Sequence, residues 1–253
     1  ALTTAARIIV AAVAVGIVIT HAGALRLWAH AGAGSLPILN TLLWAYAVPA
    51  ALLFVIAVRA RGSDQPQEPL ACSVLALLLV SLLILFEVRH CFHGVVLLNT
   101  YRTQMLLPME MATYAAAWLL LALGLREAER RHPEFGFERF GVALLWLVLG
   151  LLAISLLVSN PLLMPYGVGA TPLVNRLLWI YGLPAVLLLG AGLRDRSPAT
   201  LPLARALRVG SLVLFFLLVT TQVRQYFHGA VLSEGDVLPA EQYTYSAAWI
   251  VFG

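Results

Sequence analysis

Eight residues near the end of a long apolar run carry most of the side chains that could bind a ligand or transfer a proton. Residues 87–94 read EVRHCFHG, with one acid, one arginine and two histidines. A thinner version, QVRQYFHG, occupies residues 222–229. Ionisable side chains at membrane depth are costly, so they require a partner nearby and indicate a functional site by default. The two stretches therefore mark where the chain concentrates its polar chemistry.

Each stretch places an arginine four residues before a histidine, which puts both side chains on one face of a helix. The next helix in each case begins with a glutamate at similar depth, followed by a tyrosine on the same face. We therefore predict a polar layer of Arg–Glu pairs flanked by His, Asn and Tyr side chains. The predicted pairs are Arg89 with Glu110 and Arg224 with Glu241, and the candidate ligand-binding residues are Arg89, His93, Glu110, Tyr114, Asn40, Trp44, Arg224, His228, Glu241, Tyr245, Asn175 and Trp179.

Several interpretations of this layer stay open on sequence alone. The pairs can join helices, since hydrogen-bonding side chains commonly hold membrane helices together. Arg89 can instead extend its charge to the membrane interface. Our leading hypothesis is an element that binds or transports an anionic or lipid-linked envelope molecule through the arginines and histidines of the layer. The alternatives are a structural or assembly subunit of a membrane complex, and a membrane-embedded transferase with Glu110 or Glu241 as its base.

The residues Glu87, His90 and His93 raise the question of a metal site, because Glu-x-x-His is a metal-binding motif on helices. A three-residue step turns a helix by about 300°, so Glu87 and His90 are neighbours and His93 lies about 60° further round than His90. The second stretch has Gln222 and Gln225 at the first two positions. We therefore predict no metal site. The sequence also has no phosphate-binding or nucleophile motif, so it indicates no cofactor and leaves open whether the protein is an enzyme.

The elements that must position these residues are membrane helices. Of the 253 residues, 61% are hydrophobic and 11% are charged, and the mean hydropathy is +0.91. A soluble domain usually carries about 25% charged residues. The apolar residues occur in runs of roughly 20, which is the length of a membrane-spanning helix. The composition therefore predicts an all-α polytopic transmembrane protein.

Eight spans can be drawn, at about residues 5–28, 36–58, 70–94, 108–125, 140–158, 172–193, 203–232 and from 239 onward. The chain has 16 arginines and no lysine. Eleven arginines lie at one predicted side of the membrane and three at the other. The arginine-rich side should be cytoplasmic. We therefore predict a multi-pass protein of the bacterial inner (cytoplasmic) membrane with a cytoplasmic N-terminus and the polar layer at the outer side.

The spans form an internal repeat. Residues 36–49 match residues 171–184, an offset of 135 positions that also relates Arg89 to Arg224. After the loop that follows residues 94 and 229, the offset falls to 131, which relates Glu110 to Glu241. Each repeat has four spans, so both enter the membrane from the same side and are parallel repeats. We place the first four-helix repeat at residues 1–130 and the second at residues 131–253.

The repeated motif Arg-x-x-Phe-His-Gly, followed by Glu-x-x-x-Tyr-Ala/Ser-x-x-Trp, resembles a bacterial family of large predicted membrane proteins catalogued as a domain of unknown function. The likeness is strongest over residues 82–118 and 214–249, and the first repeat departs from it with Ala115 at the position of Ser246. The resemblance implies a longer multi-spanning inner-membrane protein and brings no activity with it. Both ends of the chain look like cuts in such a protein. We expect as partners the lipid bilayer, a lipid or anionic ligand and further membrane segments of the same longer protein, and no nucleic acid.

Overall fold

The computed structural model describes residues 38–60, 67–94, 107–133, 136–194 and 200–252. The helical elements in these ranges are named in chain order, with π for the wider π-helices. They are π1 (Leu43–Ala47), α1 (Val48–Ala60), α2 (Gln67–His93), α3 (Pro108–Arg131), α4 (Glu138–Val158), π2 (Leu178–Gly182), α5 (Leu183–Arg194), α6 (Leu201–His228) and α7 (Pro239–Phe252). The chain is an all-α protein, as the sequence predicted.

Within the part of the chain that the structure describes, four helices are long and apolar enough to cross a membrane, by length and composition: Pro69–His93, Pro108–Arg131, Glu138–Val158 and Leu201–His228. The stretches Leu43–Arg59 and Leu178–Arg194 are apolar helices of shorter length. The predicted first span, at about residues 5–28, lies outside the described residues. The count of eight spans therefore stays a prediction, while a polytopic helical protein is confirmed.

The chain divides into two compact units, Ala1–Gln104 and Met105–Gly253. In the first unit, π1, α1 and α2 pack around a core that includes Leu42, Leu53 and the stacked rings of Tyr46 and Phe86. In the second unit, α3 packs with α4, π2 and α5, and α6 packs with α5 and α7. The helix α3, which we assign to the first repeat by sequence, thus contributes to the core of the second unit.

Each π-helix ends two residues before a proline, and the two π-helices are related by the offset of 135. The N–H of Val48 bonds to the carbonyl of Leu43 before Pro49, and the N–H of Leu183 bonds to the carbonyl of Leu178 before Pro184. Proline lacks an N–H and its ring collides with the carbonyl four residues earlier. A wider turn removes this collision without ending the helix. The prolines therefore sit beside a local distortion of the second and sixth spans.

Three predicted boundaries are corrected by backbone geometry. The seventh span was predicted to reach residue 232, but α6 ends at His228 because Gly229 has a φ of 75°. The sixth span was predicted from residue 172, but Leu173 has a φ of 67° and residues 171–175 form bends before π2. The fourth span was predicted to end at residue 125, but α3 continues through charged residues to Arg131.

Candidate functional site

The predicted pair of Arg224 and Glu241 forms a buried ion pair between α6 and α7. The Nη1 atom of Arg224 donates to Oε1 and Oε2 of Glu241 at 3.1 and 3.2 Å. Glu241 is 0% exposed and Arg224 is 9% exposed. Charged side chains buried to this degree need both a counter-charge and further hydrogen bonds. Arg224 lies in the last turns of α6 and Glu241 in the first turn of α7, so the pair joins the adjacent ends of two helices.

Carbonyl groups of the loop between α6 and α7 accept hydrogen bonds from the other two nitrogens of the Arg224 guanidinium. The Nε of Arg224 donates to the carbonyl of Leu232 at 3.1 Å, and its Nη2 donates to the carbonyls of Glu234 and Gly235 at 3.1 and 2.6 Å. Gly235 has a φ of 84°, and a Cβ there would lie 2.8 Å from the His228 ring. The loop thus closes over the arginine only because a glycine occupies this position.

His228 connects the two charges. Its Nε2 lies 2.8 Å from Nη1 of Arg224 and 2.8 Å from Oε2 of Glu241. With a proton on Nε2 the ring donates to the carboxylate, and without one it accepts from the guanidinium. The i,i+4 spacing of Arg224 and His228 predicted this proximity.

Glu241 receives two further hydrogen bonds, one from the residue before α7 and one from α7 itself. The N–H of Leu238 donates to Oε2 at 3.2 Å, and the Tyr245 hydroxyl donates to Oε1 at 2.7 Å. A glutamate in the first turn that accepts from the preceding backbone N–H is half of a capping box. The ring of Tyr245 stacks on Trp249 with centroids 5.5 Å apart. The carboxylate therefore holds the start of α7 as well as the end of α6.

The helix α3 repeats part of this arrangement. The Tyr114 hydroxyl donates to Oε1 of Glu110 at 2.9 Å, and both residues are buried. Tyr114 stacks on Trp118 with centroids 6.0 Å apart. Arg89 and His93 lie half-buried at the end of α2. Arg89 belongs to the first compact unit and Glu110 to the second, so their pairing stays a prediction.

The two asparagines of the predicted layer start the π-helices. Oδ1 of Asn40 accepts from the N–H of Leu42 at 2.8 Å, and Oδ1 of Asn175 accepts from the N–H of Leu177 at 3.0 Å. These bonds are Asx-type turns, which satisfy backbone donors at the start of a helix. Asn175 also donates to Oε1 of Gln222 at 3.0 Å. The structure therefore places Asn175 beside Gln222 and not among the hydrogen-bond partners of Arg224.

Glu87 and Gln222 are site residues that the sequence analysis interpreted differently. The N–H of Ile38 donates to Oε2 of Glu87 at 3.1 Å, and Nε2 of Gln222 donates to the carbonyl of Leu173 at 3.2 Å. Ile38 and Leu173 both have positive φ, 71° and 67°. Each polar side chain thus holds a strained turn that leads into a π-helix. The offset of 135 was the signal, because it relates both members of each contact.

The offset of 135 relates His90 to Gln225, and both residues are buried. Nδ1 of His90 lies 3.3 Å from Nδ2 of Asn40 and 3.9 Å from Oε2 of Glu87. Gln225, which the offset relates to His90, donates to the carbonyl of Gly169 at 3.2 Å. Among the described residues, no three His, Cys, Asp or Glu side chains are grouped as ligands of a metal ion. Glu87 and His90 act in this structure as hydrogen-bonding groups around Asn40 and Ile38.

The predicted tryptophans differ in their surroundings. The indole N–H of Trp179 donates to Oγ1 of Thr113 at 2.9 Å and so joins π2 to α3. Trp44, its equivalent in π1, is 72% exposed. The sequence placed both residues in the polar layer. In the structure Trp179 lies at a contact between helices, and a ligand-binding role of the two tryptophans stays a prediction.

A scan against family models matches the chain twice to the family described as "Predicted membrane protein (DUF2339)", at residues 1–150 and 125–253. The two matches together cover the whole chain and overlap in α3 and α4. No curated protein and no solved structure matches the chain.

Proposed function

Since the chain belongs to this family of predicted membrane proteins, DUF2339, we propose that it is a structural or assembly subunit of a membrane complex. In this role the Arg–Glu–His cluster fastens helix ends and does not hold a ligand. One observation carries the proposal: all three nitrogens of the Arg224 guanidinium donate to groups of the protein itself.

An anionic ligand would have to compete with these internal partners. Arg224 donates to a carboxylate and to three backbone carbonyls, and it is almost fully buried. Moving the guanidinium toward a ligand would remove the counter-charge of the buried Glu241 and leave the carbonyl of the buried Leu232 without this donor, which costs several kcal/mol in total, at roughly 1–3 kcal/mol or more for each group. The contacts therefore favour the structural alternative over our first hypothesis of an anion-binding or transporting layer.

A transferase with Glu241 as its base is disfavoured by the same contacts. Its two carboxylate oxygens accept from Arg224, Tyr245 and the N–H of Leu238, and one lies 2.8 Å from His228. A general base must reach the proton that it abstracts from a substrate. A carboxylate that is 0% exposed and already holds these donors does not meet this requirement.

The internal repeat and the membrane orientation are part of the proposal. Supporting the repeat, the two π-helices, the two positive-φ turns at Ile38 and Leu173 and the two Glu–Tyr bonds recur at the sequence offsets. Supporting the orientation, the arginines concentrate at one predicted side of the membrane. We assign the chain to a bacterial inner membrane with a cytoplasmic N-terminus on this basis.

Native mass spectrometry of the purified protein tests the structural role. We compare the wild type with Arg224→Lys and His228→Gln, and use Arg130→Lys, an exposed arginine of α3, as the matched control. If the role is structural, the occupancy of any bound anion or lipid should be the same in the wild type, the two cluster variants and the control. A stoichiometric anionic adduct that is lost in both, while the helical circular dichroism is unchanged, would establish the ligand-binding alternative.

A further inference from the structure

Two buried positions of the first unit are ionisable where the second unit has amides. Glu87 and His90 on α2 are related by the offset of 135 to Gln222 and Gln225 on α6. Both pairs lie on helices that are long and apolar enough to cross a membrane. The side chains of Glu87 and His90 are 15% and 3% exposed. Ionisable side chains in such segments are costly and are typical of proton pathways. The two units thus contain an ionisable and a non-ionisable version of one site.

The non-ionisable version uses both ends of its amide. Oε1 of Gln222 accepts from Nδ2 of Asn175 at 3.0 Å. Nε2 of Gln222 donates to Oδ1 of Asn175 and to the carbonyl of Leu173, both at 3.2 Å. This position in the fold is therefore suited to a side chain that has one acceptor end and one donor end.

In the ionisable version, only one end of the side chain has a partner. Oε2 of Glu87 accepts from the N–H of Ile38 at 3.1 Å. Oε1 is buried and has no hydrogen-bond partner in the part of the chain that the structure describes. The neutral amide of Gln225 also has a buried oxygen of this kind. An unpaired oxygen costs far more when it carries the charge of a carboxylate, because burial removes its hydration. The charged form of Glu87 therefore fits this place poorly.

His90 does not supply a counter-charge to Glu87. Oδ1 of Asn40 accepts from the N–H of Leu42 at 2.8 Å, which leaves the NH₂ end of the amide facing His90. This Nδ2 only donates, and it lies 3.3 Å from Nδ1 of His90, so Nδ1 has a free lone pair. An imidazolium has protons on both ring nitrogens. His90 is therefore neutral in this arrangement, although its Nδ1 lies 3.9 Å from Oε2 of Glu87.

The other charged side chains nearby lie on different faces or at a distant helix end. Arg89 follows Glu87 by two positions, and residues at this spacing do not face each other on a helix. His93 follows by six positions and is turned by about 120° from Glu87. Arg59 lies in the last turn of α1, whereas Asn40 precedes π1 at the opposite end of that helix. The remaining titratable groups in these described segments are the hydroxyl of Tyr46 on π1 and the thiol of Cys91 on α2.

We propose that Glu87 is a proton-binding site on α2, with the proton on Oε1. The resulting carboxylic acid has one donor and one acceptor end, as the amide of Gln222 has. In the binding step one O–H bond forms at Oε1, a hydronium ion becomes water, and no other bond changes. Loss of the proton leaves a buried charge beside the turn at Ile38, so proton binding is coupled to the segment that leads into π1. The site lies in the first unit and is independent of the structural role proposed for the Arg224 cluster.

Infrared difference spectroscopy of the protein in liposomes tests the site. A protonated carboxyl group has a C=O stretching band that a carboxylate lacks and that shifts in heavy water. At neutral pH the wild type should show such a band, and Glu87→Gln should lose the intensity of one carboxyl group per chain. Glu138→Gln, the matched change at an exposed glutamate of α4, should keep the band unchanged. Identical bands in the wild type and Glu87→Gln, with the helical circular dichroism unchanged, would overturn the proposal.

The protonation of His90 gives a second measurement that needs no change at Glu87. Nitrogen NMR of the histidine-labelled wild type distinguishes a neutral ring from an imidazolium, and His90→Gln assigns the signal by its loss. The proposal predicts a neutral His90 at neutral pH with its proton on Nε2, because Nδ1 accepts from Asn40. An imidazolium at His90 would overturn the proposal, since Glu87 would then be the carboxylate of an ion pair. This result decides the matter even where Glu87→Gln does not fold.

Discussion

Two glutamates of the second unit form ion pairs with arginines, one of them buried and the other exposed to water. Glu241 is bound by Arg224 at 3.1 Å and is 0% exposed. Glu127 on α3 is bound by Arg194 at 3.1 Å, with Arg130 and Arg131 at 3.4 and 3.2 Å, and its side chain is 36% exposed. The shortest ion-pair distances are equal. What differs is access to water.

This difference decides what each cluster can contribute. A buried pair loses its hydration, so it is stable only with a complete set of internal partners, and removing one member leaves an uncompensated charge. The Glu241 cluster has such a set, including three loop carbonyls. An exposed pair gains little, because water and salt already screen the charges. The number of arginines around a carboxylate is therefore a poor measure of its contribution.

The largest effect is expected from Glu241→Gln. The variant leaves Arg224 buried without a counter-charge, so the free energy of unfolding should fall by about 3–5 kcal/mol. Unfolding in mixed detergent micelles, followed by circular dichroism, measures the change. In a double-mutant cycle with Arg224→Met, the loss in the double variant should be smaller than the sum of the two single losses. Additive losses would mean that the two residues do not act as a pair.

Tyr245→Phe should have the next largest effect. The variant removes one hydrogen bond to a buried carboxylate and keeps the ring that stacks on Trp249. Hydrogen bonds to charged groups contribute about 1.5–3 kcal/mol, so a loss of this size is expected in the same unfolding assay. Tyr114→Phe, which removes the corresponding bond to Glu110, is the matched comparison. A loss below about 0.5 kcal/mol for Tyr245→Phe would show that the remaining donors of Glu241 compensate fully.

The buried cluster was partly predictable from sequence. Arg224 and Glu241 stood out because polar residue types recurred at constant offsets inside apolar runs, where only a paired charge is tolerated. The three carbonyls that complete the site were not predictable. Their directions depend on the backbone of the loop after α6, in which Gly229 and Gly235 adopt φ values of 75° and 84°. A residue type does not determine how a loop folds over it.

The predicted ligand layer was drawn from proximity in depth, which does not determine which side chains are in contact. Asn175 lies in the same predicted layer as Arg224, but its side chain is used at the start of π2 and by Gln222. Glu87 was considered as a metal ligand and not predicted to be one, and in the structure it supports the turn at Ile38. Helical periodicity predicts the face of the helix on which a side chain lies and its approximate depth in the membrane. It does not give the neighbouring element, which tertiary packing selects.

A smaller effect is expected from Glu127→Gln. The variant removes the counter-charge of three arginines, but all four side chains are well exposed. Exposed pairs contribute at most about 1 kcal/mol, so the free energy of unfolding should fall by no more than that. The same micelle assay compares it directly with Glu241→Gln. A loss equal to that of Glu241→Gln would show that this cluster is shielded from water in the micelle-bound protein.

The smallest effect is the response of the two variants to salt, and it separates the clusters by mechanism. Raising the ionic strength from 0.1 to 1 M shortens the Debye length from about 10 to about 3 Å. The loss caused by Glu127→Gln should therefore shrink by a few tenths of a kcal/mol, toward zero. The loss caused by Glu241→Gln should stay constant, because ions do not reach a carboxylate that is 0% exposed.

The measurement is the difference between wild type and variant at each salt concentration, which cancels the effect of salt on the detergent. If salt reduced the loss in Glu241→Gln as well, water and ions would have access to the cluster, and an anionic ligand could reach Arg224 by the same route.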